Sequence, residues 1–433
     1  MPAEDHRRPH HHPGEWCESN QSVRAVETGV VTVGEARLLL KDGTRRQATF
    51  LELFFDVVFV FAFTRISIRS AEVLTGPDRH ITSVVAMGLS KALLLLLALW
   101  AVWHLTAWTT SQYDPYHHRV QLVVISSLVA SLVMGVAISR AFGERRLALA
   151  CAYVLAHVSR SLILSISLRG ETERRRHELR MLTTFSLTGV LWITGAALPL
   201  RWRLPLWLLA LATEWVTARA GFPVPGLGRS PAAKLRMEGE HLAERYQQFL
   251  LIALGEAILV TGRVYAEGTI GTGETAAFAI AVATTVLIWR IYFHRAGQIL
   301  PEAITKSTSP ARMGWSTTDS HLIMLAGIVT TAVGYHVTIE HPHGDTQATW
   351  IAVILGGPAL FTVGRARFEH EVFSRVSHSR IVVLLILAAL FPVMIHLPAL
   401  ASAAAAAAIL AAAAIADARR AWGRPPEQPK PSP

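Results

Sequence analysis

Twelve apolar segments, apart from short ones such as 204–218 each near the length that a helix needs to cross a bilayer, recur along the chain and dictate its architecture. A helix rises about 1.5 Å per residue, so roughly 20 residues span a hydrocarbon core about 30 Å thick. In the first half the segments are 49–68, 83–105, 120–138, 147–168, 181–198 and 204–218. In the second they are 244–264, 276–293, 320–338, 348–364, 380–397 and 399–416, the last an alanine-rich run. Lipid offers a bare backbone no hydrogen-bond partner, so such segments fold as helices. The pattern predicts an all-α fold, a polytopic transmembrane helical bundle of about 12 helices. Of the residues 52% are hydrophobic and 17% charged, which excludes an ordinary soluble enzyme.

The net charge of +10 invites a nucleic-acid reading, but the arginines cluster between the apolar segments, as orientation signals do. With the N-terminus inside, the inner loops hold Arg169, Arg174, Arg175, Arg176 and Arg180, then Arg219, Arg229, Lys234 and Arg236. Arg365, Arg367, Arg375, Arg419, Arg420 and Arg424 fall on the same side, whereas the outer segments 265–275 and 339–347 carry no Lys or Arg. Arg140, Arg145 and Arg146 run against this trend. The expectation is a multi-pass protein of the cell membrane with both termini cytoplasmic, the first span directing insertion in place of a cleavable signal. The polar, histidine-bearing stretch 1–45 and the proline-rich 419–433 read as disordered cytoplasmic tails. Between them lie a first six-helix half (46–220), a cytoplasmic linker (221–240) and a second six-helix half (241–418).

The halves echo one another. Glu52 has a counterpart in Glu244, Trp100 and Trp103 in Trp289 and Tyr292, Asp114 in Asp319, His177 in His378, and Leu198-Pro199 in Leu397-Pro398. The offset drifts only from 189 (Trp100 to Trp289) to 205 (Asp114 to Asp319). Two explanations stand, a chance match of apolar helices and a duplication; with six spans per half the duplication is a parallel 6+6 repeat about an axis along the membrane normal.

Carboxylates in hydrocarbon are costly and mark the places to look for function. Glu52 and Asp56 lie four apart on one face of the first span, continued by the aromatic stripe of Phe59 and Phe63. The seventh span places His241, Arg245, Gln248, Ile252 and Glu256 in one stripe, polar but for Ile252, with Glu244 beside it. Arg160, deep in the fourth span, needs a partner that Glu52, Asp56 or Glu256 would supply. The candidate polar centre is therefore Glu52, Asp56, Arg160, His241, Glu244, Arg245, Gln248 and Glu256, lined by Phe55, Phe59, Trp100, Trp103 and Trp289. The plain alternative is interhelical glue, with the acids ion-paired to Arg160 or Arg245. Glu52, Asp56, His241 and Glu244 are also of the type that holds a hard cation, but their spacing specifies none, so no metal is expected. Cys17 and Cys151 frame no disulfide or metal set, and no nucleotide loop, serine elbow, zinc motif or nucleic-acid motif occurs, so no cofactor is expected.

The stretch Glu52-Leu-Phe-Phe-Asp56-Val-Val-Phe-Val-Phe resembles the opening signature of the bacterial low-temperature-requirement A (LtrA) family. Glu244-Arg245 followed by Leu254-Gly255-Glu256 resembles its second signature, and Trp100, Trp103, Trp108 and Trp289-Arg-Ile-Tyr292 fit its pattern. The similarity covers about residues 45–400 and implies an integral membrane protein of many helices, without implying an activity. The chain departs from the family at Tyr292-Phe-His294-Arg295, where an acidic residue would precede the arginine.

Three functions follow as expectations. The first is a proton- or ion-coupled transporter or channel-like protein for an unknown small solute, with Glu52, Asp56 and Glu256 as coupling acids. The second is an intramembrane enzyme that acts on a lipid or isoprenoid, with a protonated Glu52 or Asp56 as general acid. The third is a membrane stress-tolerance factor without transport or chemistry. Expected partners are the lipid bilayer and a small-molecule or lipid substrate, with no nucleic acid.

Overall fold

A computed structural model of the chain describes residues 47–230, 239–294, 299–300, 302–303, 310–344, 346–423 and 428–429. The tail 1–45, linker residues 231–238, Arg295, and residues 424–427 and 430–433 lie outside the described residues. Among the described residues every predicted span is a helix, and no strand forms. The helices are α1 (Phe50–Thr75), α2 (Thr82–Gln112), α3 (His118–Ala137), α4 (Arg146–Ser167), α5 (Thr172–Ala197) and α6 (Leu200–Arg219). They continue as α7 (Gly239–Glu267), α8 (Thr272–Phe293), α9 (Pro310–Glu340), α10 (Ala348–Phe373), α11 (His378–Met394) and α12 (Ala399–Ala421).

The helices outrun the apolar segments because helical backbone continues into their polar flanks. α1 starts at a capping box: Thr49 accepts from the Glu52 backbone N–H, while the Glu52 carboxylate accepts from the Thr49 backbone N–H. α5 begins nine residues before its apolar segment at 181, so its first turns carry arginines and Glu178. α12 runs through Arg419 and Arg420, cations that suit a helix C-terminus.

Eight of the helices are long and apolar enough to cross a membrane. The other four are interrupted by polar side chains (α1, α5, α6) or short (α11), yet they too turn aliphatic residues outward. Leu187 and Val190 on α5, Leu209 on α6 and Leu385 on α11 are all more than half exposed. An apolar exterior of this extent suits lipid.

Within the first half α1 packs on α2 and α3, α3 on α4, α4 on α5, α5 on α6, and α6 on α2. The second half has the same neighbours: α7 on α8 and α9, α9 on α10, α10 on α11, α11 on α12, and α12 on α8. The halves meet where α1 and α2 contact α7 and α9. The tightest pair is α9 and α10, and glycine is the cause. A Cβ on Gly327 would stand 2.3 Å from the Phe361 backbone nitrogen, and one on Gly357 2.5 Å from that of Thr331.

Candidate functional site

The first-span acids meet Arg245 and His241 of the seventh span across the α1–α7 contact. Arg245 donates from Nη2 to Asp56 Oδ1 at 2.6 Å, and its Nε lies 3.6 Å from Glu52 Oε1. His241 Nε2 stands 3.3 Å from the same Glu52 oxygen, and its Nδ1 shares a hydrogen bond with Ser111 Oγ at 2.9 Å. Thr49 donates from its backbone N–H and its hydroxyl to Glu52 Oε2, each at 2.9 Å. Trp103 on α2 donates from Nε1 to Asp56 Oδ1 at 2.8 Å. All four charged or titratable side chains are at most 1% exposed.

An aromatic layer seals this network. Trp103 stacks on Phe249 with centroids 3.9 Å apart and on Trp100 at 5.0 Å. Phe249 in turn meets Phe59 and Phe63 edge-on, and Phe59 meets Phe55. With water excluded, each charge depends on its protein partners, yet not all valences are met. Asp56 Oδ2 and Arg245 Nη1 have no hydrogen-bond partner among the described residues.

The remaining seventh-span candidates divide. Glu244 and Gln248 sit half-buried and pair with each other at 3.0 Å, Glu244 also accepting from the Ala48 backbone N–H at 3.2 Å. Glu256 lies 11 residues beyond Arg245, about 16 Å along the helix. It is fully buried beside Thr64 and Ser67 of α1, and neither carboxylate oxygen has a hydrogen-bond partner among the described residues.

Two of the sequence expectations need correction. Arg160 does not reach Glu52, Asp56 or Glu256. Its charged and phenolic neighbours are Glu178 and Tyr113, and its guanidinium lies 5.6 Å over the Phe185 ring. The direction of α4 accounts for this: three residues from His157, Arg160 shares the face that packs on α5, not on α1. Trp289 does not line the polar centre either. It is 45% exposed on α8 and stacks on Phe293, an outward position typical of tryptophan in membrane helices.

Arg160 instead lines a cavity of about 670 Å³ on the face where α1 begins, walled by both halves. α2, α4, α5 and α6 contribute Gln112, Arg160, Glu178 and Arg219, and α9 and α10 contribute Asp319 and Arg367. Asp319 ion-pairs with Arg219 and lies 3.3 Å from Arg367, bridging the halves at the rim. Tyr113 donates to Glu178 Oε1 at 3.3 Å, while Arg160 Nε and Glu178 Oε2 have no hydrogen-bond partner among the described residues. The loop after α6 closes one wall. Gly221 (φ 78°) turns it sharply, so that Ser230 reaches His177 at 2.8 Å and Arg180 at 2.7 Å.

A second cleft of about 790 Å³ opens at the opposite end of α2, lined by Arg69, Gly88, Lys91, Leu95 and Glu144. Between the two lie Trp100, Trp103 and His104, all buried. An apolar chamber of about 330 Å³ adjoins the first cavity and shares Leu105, Ala218, Phe222 and Trp315 with it. Glu214 lines this chamber and accepts a short hydrogen bond from Tyr153.

Sequence reasoning missed Glu178, Arg219, Asp319, Trp315 and Arg367 as cavity residues. For the four charged residues the available signal was their position just outside the apolar segments, which the orientation rule also accounts for; Trp315 carried none.

The bacterial low temperature requirement A protein (LtrA) family matches residues 47–415, and the chain belongs to that family. An uncharacterized protein of Rhizobium meliloti (strain 1021) is 32% identical over 352 residues, which cover 80% of this chain and 83% of the relative. No solved structure matches. The membrane family and the apolar helices together make this an integral, multi-pass membrane protein.

Proposed function

We propose that this member of the LtrA family is a proton- or ion-coupled carrier for a small polar solute. The observation that carries the reading is the pair of wide cavities at the two ends of α2, separated by a packed aromatic layer. One opens on each face, and about 15 Å of helix, from Leu95 to Leu105, stands between them. Alternating access needs this arrangement: a closed middle and halves that rock about it. The matching neighbour pattern of the two halves supports a duplication with α1 and α7 at its axis.

In this reading the solute is held between Arg160 and Glu178, which both line the cavity and are each left with one buried polar atom that has no hydrogen-bond partner among the described residues. Asp319 with Arg219 and Arg367 forms a gate at the rim, made across the halves. Asp56–Arg245 is the pivot contact, and Glu256 carries the coupling proton between Thr64 and Ser67. The bland alternative, glue alone, leaves the unmet valences of Asp56, Arg245 and Glu256 without a purpose. By the charge asymmetry of the loops, we place the first cavity on the cytoplasmic side.

One observation favours the second reading, an intramembrane enzyme: the 330 Å³ apolar chamber beside the charged cavity, with Glu214 and His104 on its walls. Uptake of labelled small organic acids and amines into proteoliposomes, with product analysis of the lipid by mass spectrometry, separates the two. The carrier reading expects uptake that Arg160→Gln or Glu178→Gln reduces at least about tenfold, the loss of one charge-assisted contact. Altered lipid without uptake would establish the enzyme instead.

A further inference from the structure

A second charged cleft lies apart from the site described above, wholly within the second half. Arg290 of α8, Arg365 and Glu369 of α10, Arg380 of α11, and Asp417 and Arg420 of α12 line it, with Arg375 and His294 at its edge. Five arginines face two carboxylates. Its volume is about 70 Å³, room for roughly two waters at about 30 Å³ each, or for one tetrahedral oxyanion.

Two of these arginines are buried cations with donors to spare. Arg365 is 4% exposed; its Nε reaches the Ile291 carbonyl at 3.4 Å, and its Nη1 has no hydrogen-bond partner among the described residues. Arg380 is 2% exposed and ion-pairs with Asp417. Its Nε lies 4.0 Å from Glu369, beyond hydrogen-bond reach, and is likewise unpartnered. The carboxylates are partly occupied elsewhere: Glu369 accepts from the Ser377 backbone N–H at 3.1 Å, and Asp417 from Ser379 at 3.3 Å. Arg420 is exposed at the mouth, where it donates to Ser377.

We propose that this cleft binds a phosphate group, either as free phosphate or as the headgroup of an anionic membrane lipid. Guanidinium forks match phosphate oxygens, and a buried pair of them with unused N–H groups gains more from an oxyanion than from water. The position suits both sources, because the cleft sits at the ends of α8, α10 and α12 and the start of α11, at interfacial depth. In the proposed duplication these helices are the counterparts of α2, α4, α5 and α6, which wall the wide cavity. One half thus keeps an open charged space and the other a tight anion seat.

The test uses the full chain, purified in neutral detergent without phosphate. Its thermal unfolding is followed with added inorganic phosphate, and again in nanodiscs of phosphatidylcholine with or without phosphatidylglycerol. Wild type, Arg365→Lys and Arg420→Gln are compared; the exposed Arg420→Gln keeps the test informative if Arg365→Lys does not fold. A rise in midpoint with free phosphate, its apparent affinity weakened about tenfold in the variants, identifies free phosphate as a ligand. A rise only with phosphatidylglycerol, weakened in the same variants, identifies the lipid headgroup. No rise with either ligand, or rises of equal size in wild type and variants, overturns the proposal.

Discussion

Arg245 on α7 and Asp56 on α1 form a buried ion pair of 2.6 Å between the two halves of the chain, made on the first helix of each. Trp103 fixes the same carboxylate oxygen from α2, so three helices converge on one atom. The relationship explains why these two charges persist in segments that would cross the membrane more cheaply without them: each is desolvated, but each has the other as partner.

Removing one member of the pair should therefore hurt more than removing both. Asp56→Asn or Arg245→Gln alone is expected to cost about 3–5 kcal/mol of stability, because a buried charge is left uncompensated. The double variant Asp56→Asn/Arg245→Gln should lose less than the sum of the singles. Unfolding in detergent, arranged as a double-mutant cycle, measures the coupling. Additive losses would mean that the pair does not act as a unit.

Trp103→Phe should keep the stack on Phe249 while deleting the donor to Asp56. A hydrogen bond to a charged group contributes about 1.5–3 kcal/mol, so a loss in that range is expected in the same unfolding assay. A neutral outcome would show that the indole N–H contributes nothing to holding the carboxylate.

The α9–α10 seam predicts a sharp contrast among glycines. Gly327→Ala or Gly357→Ala drives a methyl into backbone at 2.3 or 2.5 Å and should lower the melting point and yield of folded protein. Gly255→Ala, whose new methyl meets nothing within 4 Å, should be tolerated. Equal behaviour of the three variants would contradict the close packing of these two helices.

Sidedness is open to a direct test. In a background without Cys17 and Cys151, Gln112→Cys at the first cavity should react with an impermeant maleimide only in inside-out vesicles. Gly143→Cys, at the opposite cleft, should react only in right-side-out vesicles. The reverse pattern would invert the orientation.

The fold was legible because lipid leaves few options: an apolar run of span length becomes a helix, and all twelve did. Helix ends were less legible, as at α5, where nine residues from Thr172 to Arg180, all polar but Leu179, extend the helix before its apolar stretch. Glu52, Asp56, His241 and Arg245 were found because helical spacing put each pair on one face and the cost of burial demanded a partner. That same cost said nothing about which partner, and so Arg160 was assigned to the wrong acids. Its neighbour Glu178 sits among arginines in a segment whose charge looked like an orientation signal. The cavity between the halves could not be read at all, since it depends on how far α2, α4, α5 and α6 stand from α9 and α10.

Coupled carriage is open to one direct test, discharge of an imposed pH gradient in proteoliposomes, read with a trapped pH-sensitive dye while a panel of small organic solutes is added. At least one solute is expected to discharge the gradient with wild-type protein, and Glu256→Gln, which keeps the shape of the side chain but not its ionisable carboxyl group, is expected to abolish that discharge. Discharge by Glu256→Gln at the wild-type rate, or no solute-dependent discharge by folded wild-type protein, would contradict it.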